Sequence, residues 1–288
     1  MTKNGRVSII ALAAGFVACL AARTVGILKF TDMKTGFLVH GSEIAYCLIY
    51  FGILAVCAVL TALFAPKTEP GSEKLSGKGT MTVGALMLIL AAFAAFDGVM
   101  NMNTLKPFTL VIIADFAAAA YIAVVGIITL MKKKAGGGIG FMYSVVGIYF
   151  ILRGIVAISQ RMVILSIQEY LLEALCVTMG GIFFTLFGKV LSGNSEKRTL
   201  FFMRLWGAGT AILTLSSSFG AIFAKLFGSK EISGRITADF AEAQRFMQEN
   251  AMSAGGNYMM SFMPYVNTVM GIFAAAAVIM LLGKNKTE

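Results

Sequence analysis

The chain has 288 residues, of which 58% are hydrophobic and 13% charged, and its formal net charge is +10. Soluble domains carry about a quarter charged residues, so this apolar content exceeds what a soluble core can bury, and lipid must solvate much of the surface. The basic residues lie in short segments between apolar runs rather than on one soluble face, which argues against a nucleic-acid-binding protein.

Eight apolar stretches follow one another along the chain. A helix that crosses the hydrocarbon core needs about 20 apolar residues, and runs such as 9–20 and 83–96 are apolar on every side, which favours helices over a transmembrane β-barrel. The sequence therefore predicts an all-α membrane bundle of eight spans. These spans are 7–28, 43–65, 81–103, 108–131, 139–160, 169–191, 201–224 and 259–282.

Lysine and arginine alternate regularly between the two ends of these spans. Cytoplasmic loops of membrane proteins carry an excess of basic residues. Here every second boundary is basic, whereas the loops between them are sparse in charge or balanced by acids. The basic boundaries hold Lys3 and Arg6, then Lys67, Lys74 and Lys78, then Lys132, Lys133 and Lys134, then Lys189, Lys197 and Arg198, and finally Lys284 and Lys286. The pattern predicts that both termini lie in the cytoplasm and that the protein resides in the cell membrane, inner or plasma.

The first four spans resemble the last four in the order of their features. Arg23 and Arg153 lie late in spans 1 and 5, and each is followed 20 residues later by an acid, Glu43 or Glu173. Three further matches keep the same order: Ser-Glu-Lys at 72–74 and 195–197, Phe96 and Phe219, and Phe-Ala-Ala-Ala-Ala at 116–120 and 273–277. The offsets are 130, 123 and 157 residues, and their agreement in order predicts a duplication.

The duplication divides the chain into two membrane repeats, 1–134 and 135–288. Each repeat has an even number of spans, so the two are parallel, and binding sites of parallel repeats form at their interface. The second repeat contains an insertion at about 229–257. Apolar residues recur there every three to four positions from Ile232 to Met247, which predicts an extracytoplasmic amphipathic helix.

Ionisable side chains inside the predicted spans are the main candidates for a site. Such groups are costly in lipid and usually face a partner or a cavity. The candidate binding residues all fall in the predicted outer half of the bilayer, and Asn267 at a similar depth adds a polar group. They are Arg23, Glu43, Asp97, Asp115, Arg153 and Glu173.

We expect Arg23 and Arg153 each to contact an acid from another span, with Asp97, Asp115, Glu43 and Glu173 as the candidates. At least one of Asp97 and Asp115 should face the space between the repeats rather than lipid.

Two interpretations of these charges stay open. The arginines have stems long enough to reach the headgroups, but Asp97 and Asp115 lie about 10 Å inside their span ends at 1.5 Å per residue, too deep for an aspartate to do so. The short 104–107 loop makes spans 3 and 4 antiparallel neighbours, so the two carboxyls approach each other and an arginine between them would keep both charged. Charge pairs of this kind either lock the repeats together or line an outward-facing pocket.

Signatures of catalysis are absent from the sequence. It contains no HExxH, GxSxG or Walker A motif. The only histidine is His40, and the four cysteines lie in apolar runs without metal-ligand spacing. We therefore expect a non-enzymatic protein without a cofactor or a metal.

The stretch 23–41, RTVGILKFTDMKTGFLVHG, combines an arginine, a Thr-Gly turn and a following span. It resembles a pattern in small multi-pass bacterial membrane proteins that have no known activity, and the segment from Arg153 through Glu173 to Arg198 resembles their second half. The resemblance implies a bacterial inner membrane and no particular activity.

Two functions fit these observations. The protein binds or transports a small solute through an outward-facing polar pocket between the repeats, or it is a non-catalytic membrane subunit, assembly factor or sensor whose charge pairs are structural. The expected partners are the lipid bilayer, a small solute or a proton, and other membrane subunits.

Overall fold

The structure, a computed structural model, describes residues 3–30, 43–66, 77–104, 110–131, 137–161, 168–193, 196–227 and 263–282. These residues form eight helices, and the first continues into a π-helical turn at Gly26–Phe30. The helices are α1 Lys3–Val25, α2 Glu43–Leu63, α3 Gly77–Thr104, α4 Leu110–Met131, α5 Gly137–Arg161, α6 Gln168–Leu191, α7 Lys197–Phe227 and α8 Met263–Leu282.

The predicted all-α class is confirmed, since the described ranges contain helices and no strand. Seven helices, α1 to α7, are long and apolar enough to cross a membrane, and the apolar part of α8, Val266–Met280, is shorter. Each predicted span corresponds to one helix. The predicted amphipathic helix within 229–257 and His40 lie outside the described residues.

Large apolar side chains cover the outside of the bundle. Ile10 of α1, Ile44 and Leu48 of α2, and Met81 of α3 are each more than 60% exposed. Aliphatic surface on several helices at once would be unfavourable in water, whereas lipid solvates it without cost. This helical, apolar bundle fits a multi-pass integral membrane protein.

Helix α7 lies at the centre of the bundle. It packs against α1, α2, α6 and α8. In its most apolar stretch 72% of the residues are buried, compared with 28% for α1 and for α2. The outer helices pack as neighbouring pairs, α1 with α2, α3 with α4 and α5 with α6, so α7 connects elements that are distant in sequence.

Antiparallel pairing is visible in the contacts between α1 and α2. Near the start of α1, Ser8 Oγ donates a hydrogen bond of 2.6 Å to the Thr61 carbonyl near the end of α2. At the other end, Gly26 lies against the ring of Tyr46. Successive helices therefore place the end of α1 and the start of α2 at the same end of the bundle.

An aromatic cluster fills the core between α5, α6 and α8. Its ring centroids lie 4.9 to 6.2 Å apart, within the range of favourable edge-to-face and offset contacts. The rings belong to Tyr143, Phe150, Phe183, Phe184, Phe187 and Phe273. The cluster joins the α5–α6 pair firmly to α8.

The charge alternation gives a testable orientation. We expect a reporter fused after the basic segment Met131 to Lys134 to lie in the cytoplasm, because positive residues stay on that side. A second reporter placed within 232–250 should lie on the outer face. Paired alkaline phosphatase and green fluorescent protein fusions measure both positions, and two fusions on the same side would contradict the predicted topology.

Candidate functional site

The α3–α4 hairpin brings two aspartates together inside the bundle. Asp97 lies seven residues before the end of α3 and Asp115 five residues after the start of α4, so both are about 8 to 10 Å from their helix ends. Each is only 1% exposed. Gly98 lets the two helices approach, because a Cβ there would already lie 3.3 Å from the ring of Phe116. Neither aspartate faces lipid, whereas the sequence predicted this for at least one of the two.

Arg153 of α5 lies between these two carboxylates. Its Nη2 donates to Asp97 Oδ2 and its Nη1 donates to Asp115 Oδ1. The side chain is 9% exposed. The prediction that Arg153 contacts an acid from another span is thus confirmed, and the alternative in which it reaches the headgroups is wrong, because its guanidinium is held inside the bundle. We call these three residues the Asp97–Arg153–Asp115 cluster.

Tyr149 completes the cluster and was not anticipated from the sequence. Its hydroxyl donates to Asp115 Oδ1 at 2.8 Å and accepts from Arg153 Nη1 at 3.1 Å. Tyr149 precedes Arg153 by four residues, so the two share one helix face. This four-residue spacing is the sequence feature that could have identified Tyr149 as a neighbour of Arg153. The hydroxyl stabilises the ionised carboxylate by a charge-assisted hydrogen bond.

Glycines hold the helix that carries Arg153 close to α6. A Cβ on Gly147 would lie 2.7 Å from the Gly181 carbonyl oxygen, and one on Gly188 would lie 2.5 Å from the Gly140 carbonyl oxygen. Gly154, directly after Arg153, lies against Thr178. Small residues at intervals of seven thus bring two backbones into contact. This contact fixes the position of Arg153.

Arg23 is the second buried arginine. It is 0% exposed, and its stem lies against α7 at Gly220, where an added Cβ would be 3.0 Å from Arg23 Cβ. The alternative in which Arg23 reaches the headgroups is therefore wrong as well. The prediction that it contacts an acid stays a prediction.

The other candidate acids lie away from the described contacts of Arg153. Glu173 is half-buried on α6. Glu43 is the first residue of α2, and its side chain lies outside the described residues.

Near the opposite end of the bundle, Arg204 of α7 is 5% exposed and its Nη1 donates to the Pro66 carbonyl just beyond α2. A cation at a helix C-terminus complements the helix dipole, so Arg204 has a structural role.

The chemistry available at the Asp97–Arg153–Asp115 cluster is that of charge and proton binding. In the described part of the chain, no three side chains from His, Cys, Asp and Glu come together in a possible metal site. The four cysteines, Cys19, Cys47, Cys57 and Cys176, are free thiols. The first and last are buried, and the other two are half-buried.

Comparisons with protein-family models, with curated proteins and with solved structures find no match for this chain.

Proposed function

We propose that this protein is a membrane transport protein that binds a small solute or a proton at the Asp97–Arg153–Asp115 cluster. The observation that carries the proposal is the ratio of charges. Among the described side chains of the cluster, two carboxylates converge on one guanidinium. A structural lock in a low-dielectric interior is least costly as a neutral pair, whereas here two carboxylates share one guanidinium. Either carboxylate can therefore take up a proton or a cationic group of a solute while Arg153 keeps the other as its partner.

The location of the cluster supports a role in conformational change. Asp97 and Asp115 belong to the α3–α4 pair, and Arg153 belongs to the α5–α6 pair. A proton or cation on either aspartate weakens the attraction of that aspartate to Arg153. The contact between the α3–α4 pair and the α5–α6 pair then becomes weaker. A ligand that binds one arrangement more tightly shifts the population toward it, and alternating access requires such a shift.

The same proposal includes eight spans, cytoplasmic termini and two parallel repeats. Support for the repeats comes from register. Asp97 and Gly220 are separated by 123 residues, the same offset that relates the two Ser-Glu-Lys segments and Phe96 to Phe219. Arg153 contacts Asp97, and Arg23 contacts Gly220. Each arginine thus reaches the matching position on a helix of the other repeat, as a two-fold axis along the membrane normal requires.

A second candidate is a membrane subunit, assembly factor or sensor in which the cluster is structural. The contacts of Arg153 favour this candidate, because they link α5 to α3 and α4 at once. The hydrogen bond from Tyr149 to Asp115 adds to the link between α5 and α4. In this alternative the charges fix the arrangement of the helices and do not exchange a ligand.

Replacing one aspartate with asparagine distinguishes the two candidates. We expect Asp97→Asn and Asp115→Asn each to reduce proton uptake by reconstituted vesicles at least about a hundredfold, the low end of the contribution of one general acid–base group, while the protein inserts and unfolds as before. Uptake is measured with a pH-sensitive dye inside the vesicles after an imposed acid step. Glu196→Gln, which neutralises an exposed carboxylate at the start of α7, is the matched control.

The structural candidate gives the opposite result. Both asparagine variants would then lower yield and thermal stability, and wild-type vesicles would take up no protons beyond the protein-free rate. That combination would contradict the proposed function.

A further inference from the structure

A second set of polar side chains lies between α1, α2 and α7, apart from the Asp97–Arg153–Asp115 cluster. We call it the Arg23 site, formed by Arg23 of α1, Tyr46 and Tyr50 of α2, and Ser216 and Gly220 of α7. Its members come from three helices that are distant in sequence, and each named side chain is at most 6% exposed. Such convergence inside a membrane bundle marks a site rather than a single misplaced polar residue.

Glycine at position 220 makes room for the arginine. The Arg23 stem passes over α7 at Gly220, and a side chain at this position would meet Arg23 Cβ and Cγ. The matching position of the other repeat holds Asp97, which supplies a carboxylate to Arg153. In the Arg23 site, α7 supplies no carboxylate at this register.

Ser216, one turn before Gly220 on α7, holds the hydroxyl of Tyr50 at 2.8 Å. Ser216 Oγ itself donates to the Leu213 carbonyl, so Tyr50 is the donor in the first bond. The Tyr50 hydroxyl also lies close enough to Arg23 to interact with it electrostatically. These two hydrogen bonds hold the Tyr50 hydroxyl in place, with its proton directed to Ser216.

Tyr46 supplies the observation that points to a ligand. Its ring stacks on Tyr50 with centroids 6.1 Å apart, and its hydroxyl lies against Gly26, where the π-helical turn begins. Tyr46 is 6% exposed, and its hydroxyl has no hydrogen-bond partner among the described residues. A buried hydroxyl left unsatisfied costs about 1 to 3 kcal/mol, so this donor is placed for a group that the described residues do not provide. π-Helical turns are also frequent at functional sites.

We propose that the Arg23 site binds an oxyanion, the carboxylate or phosphate group of a solute or of a lipid headgroup. Its groups are donors: the Tyr46 hydroxyl and the Arg23 guanidinium, which presents five N–H bonds in a planar fork. This number of donors allows Arg23 to hold a protein acceptor and a ligand oxygen together. Carboxylate and phosphate match that fork.

Ligand-dependent thermal unfolding of the full chain in neutral detergent tests the proposal. The probes are sodium acetate, inorganic phosphate and phosphatidylglycerol in mixed micelles, with ionic strength held constant by sodium chloride. We expect at least one probe to raise the melting temperature saturably. Tyr46→Phe should weaken its apparent affinity about tenfold or more, the loss of one hydrogen bond to a charged group. Without probe, Tyr46→Phe should be at least as stable as wild type.

The control is Tyr143→Phe, which removes a buried hydroxyl that bonds to Thr129 elsewhere in the bundle and should leave the probe affinity unchanged. Stabilisation by acetate or phosphate identifies a solute anion as the ligand, and stabilisation by phosphatidylglycerol alone identifies a headgroup. If Tyr46→Phe does not fold, Ser216→Ala, which frees the Tyr50 donor, should tighten binding about threefold or more, about half the free energy of one net hydrogen bond.

The proposal is overturned if no probe stabilises the wild type, or if the Tyr46→Phe response equals that of wild type. These outcomes are independent of proton uptake at Asp97 and Asp115, so either proposal can fail while the other stands.

Discussion

Arg153→Gln is expected to be the most destabilising single substitution at the Asp97–Arg153–Asp115 cluster. The change leaves two buried carboxylates facing each other without the guanidinium that contacts both. Removing one partner of a buried ion pair costs about 3 to 5 kcal/mol, because the remaining charge is uncompensated. Unfolding in mixed micelles with sodium dodecyl sulfate measures the free energy, and Trp206, the only tryptophan, reports it from the central helix α7.

If uncompensated charge causes the instability of Arg153→Gln, removing the two carboxylates should reverse it. Adding Asp97→Asn and Asp115→Asn to Arg153→Gln removes the uncompensated charges and should restore most of the lost stability. Arg198→Gln is the control, because Arg198 is exposed at the start of α7 and its loss should cost less than about 1 kcal/mol. A triple variant as unstable as the single one would show that Arg153 acts through packing and not through its charge.

Gly147→Leu is expected to have the second-largest effect. A Cβ at this position would lie 2.6 Å from the Thr185 backbone nitrogen and 2.7 Å from the Gly181 carbonyl oxygen. These are backbone atoms, so the larger side chain must push α5 away from α6. Overpacking typically costs 1 to 3 kcal/mol, and we expect about 3 kcal/mol because neither helix can yield locally. The same unfolding measurement applies.

A glycine in open surroundings is the matched control. Gly52 lies in the middle of α2, and an added Cβ there would meet nothing within 4 Å. Gly52→Leu should therefore leave stability unchanged or raise it, since leucine favours a helix more than glycine does by about 0.8 kcal/mol. Equal destabilisation by Gly52→Leu and Gly147→Leu would show that the effect does not come from the α5–α6 contact.

The sequence predicted the helices and one of the two arginine contacts. Lengths of apolar runs are local information, which is why each predicted span matches a helix. The approach of Asp97 and Asp115 followed from their equal depth and the short loop between α3 and α4. Arg153 lies at the same depth, so its contact with them could be anticipated. Tyr149 was predictable in principle, because it shares a helix face with Arg153.

The surroundings of Arg23 could not be predicted in the same way. Depth in the membrane does not determine which helices are neighbours, and α1 contacts α7 although nearly 200 residues separate Arg23 from Gly220. Tyr46 and Tyr50 gave no signal, since aromatic residues in apolar helices usually serve as packing. The spacing of Gly140, Gly147 and Gly154 was visible, but a row of small residues does not reveal which helix lies against it.

The register of Asp97 and Gly220 has a consequence for how the two halves diverged. On the proposed duplication, an ancestral dimer of identical four-helix chains would have had the same residue at both positions, and hence two equivalent arginine sites. Fusion of the two copies allowed one position to keep or gain an acid while the other has glycine. The present chain therefore places an aspartate against Arg153 at one of these positions and a glycine against the stem of Arg23 at the other.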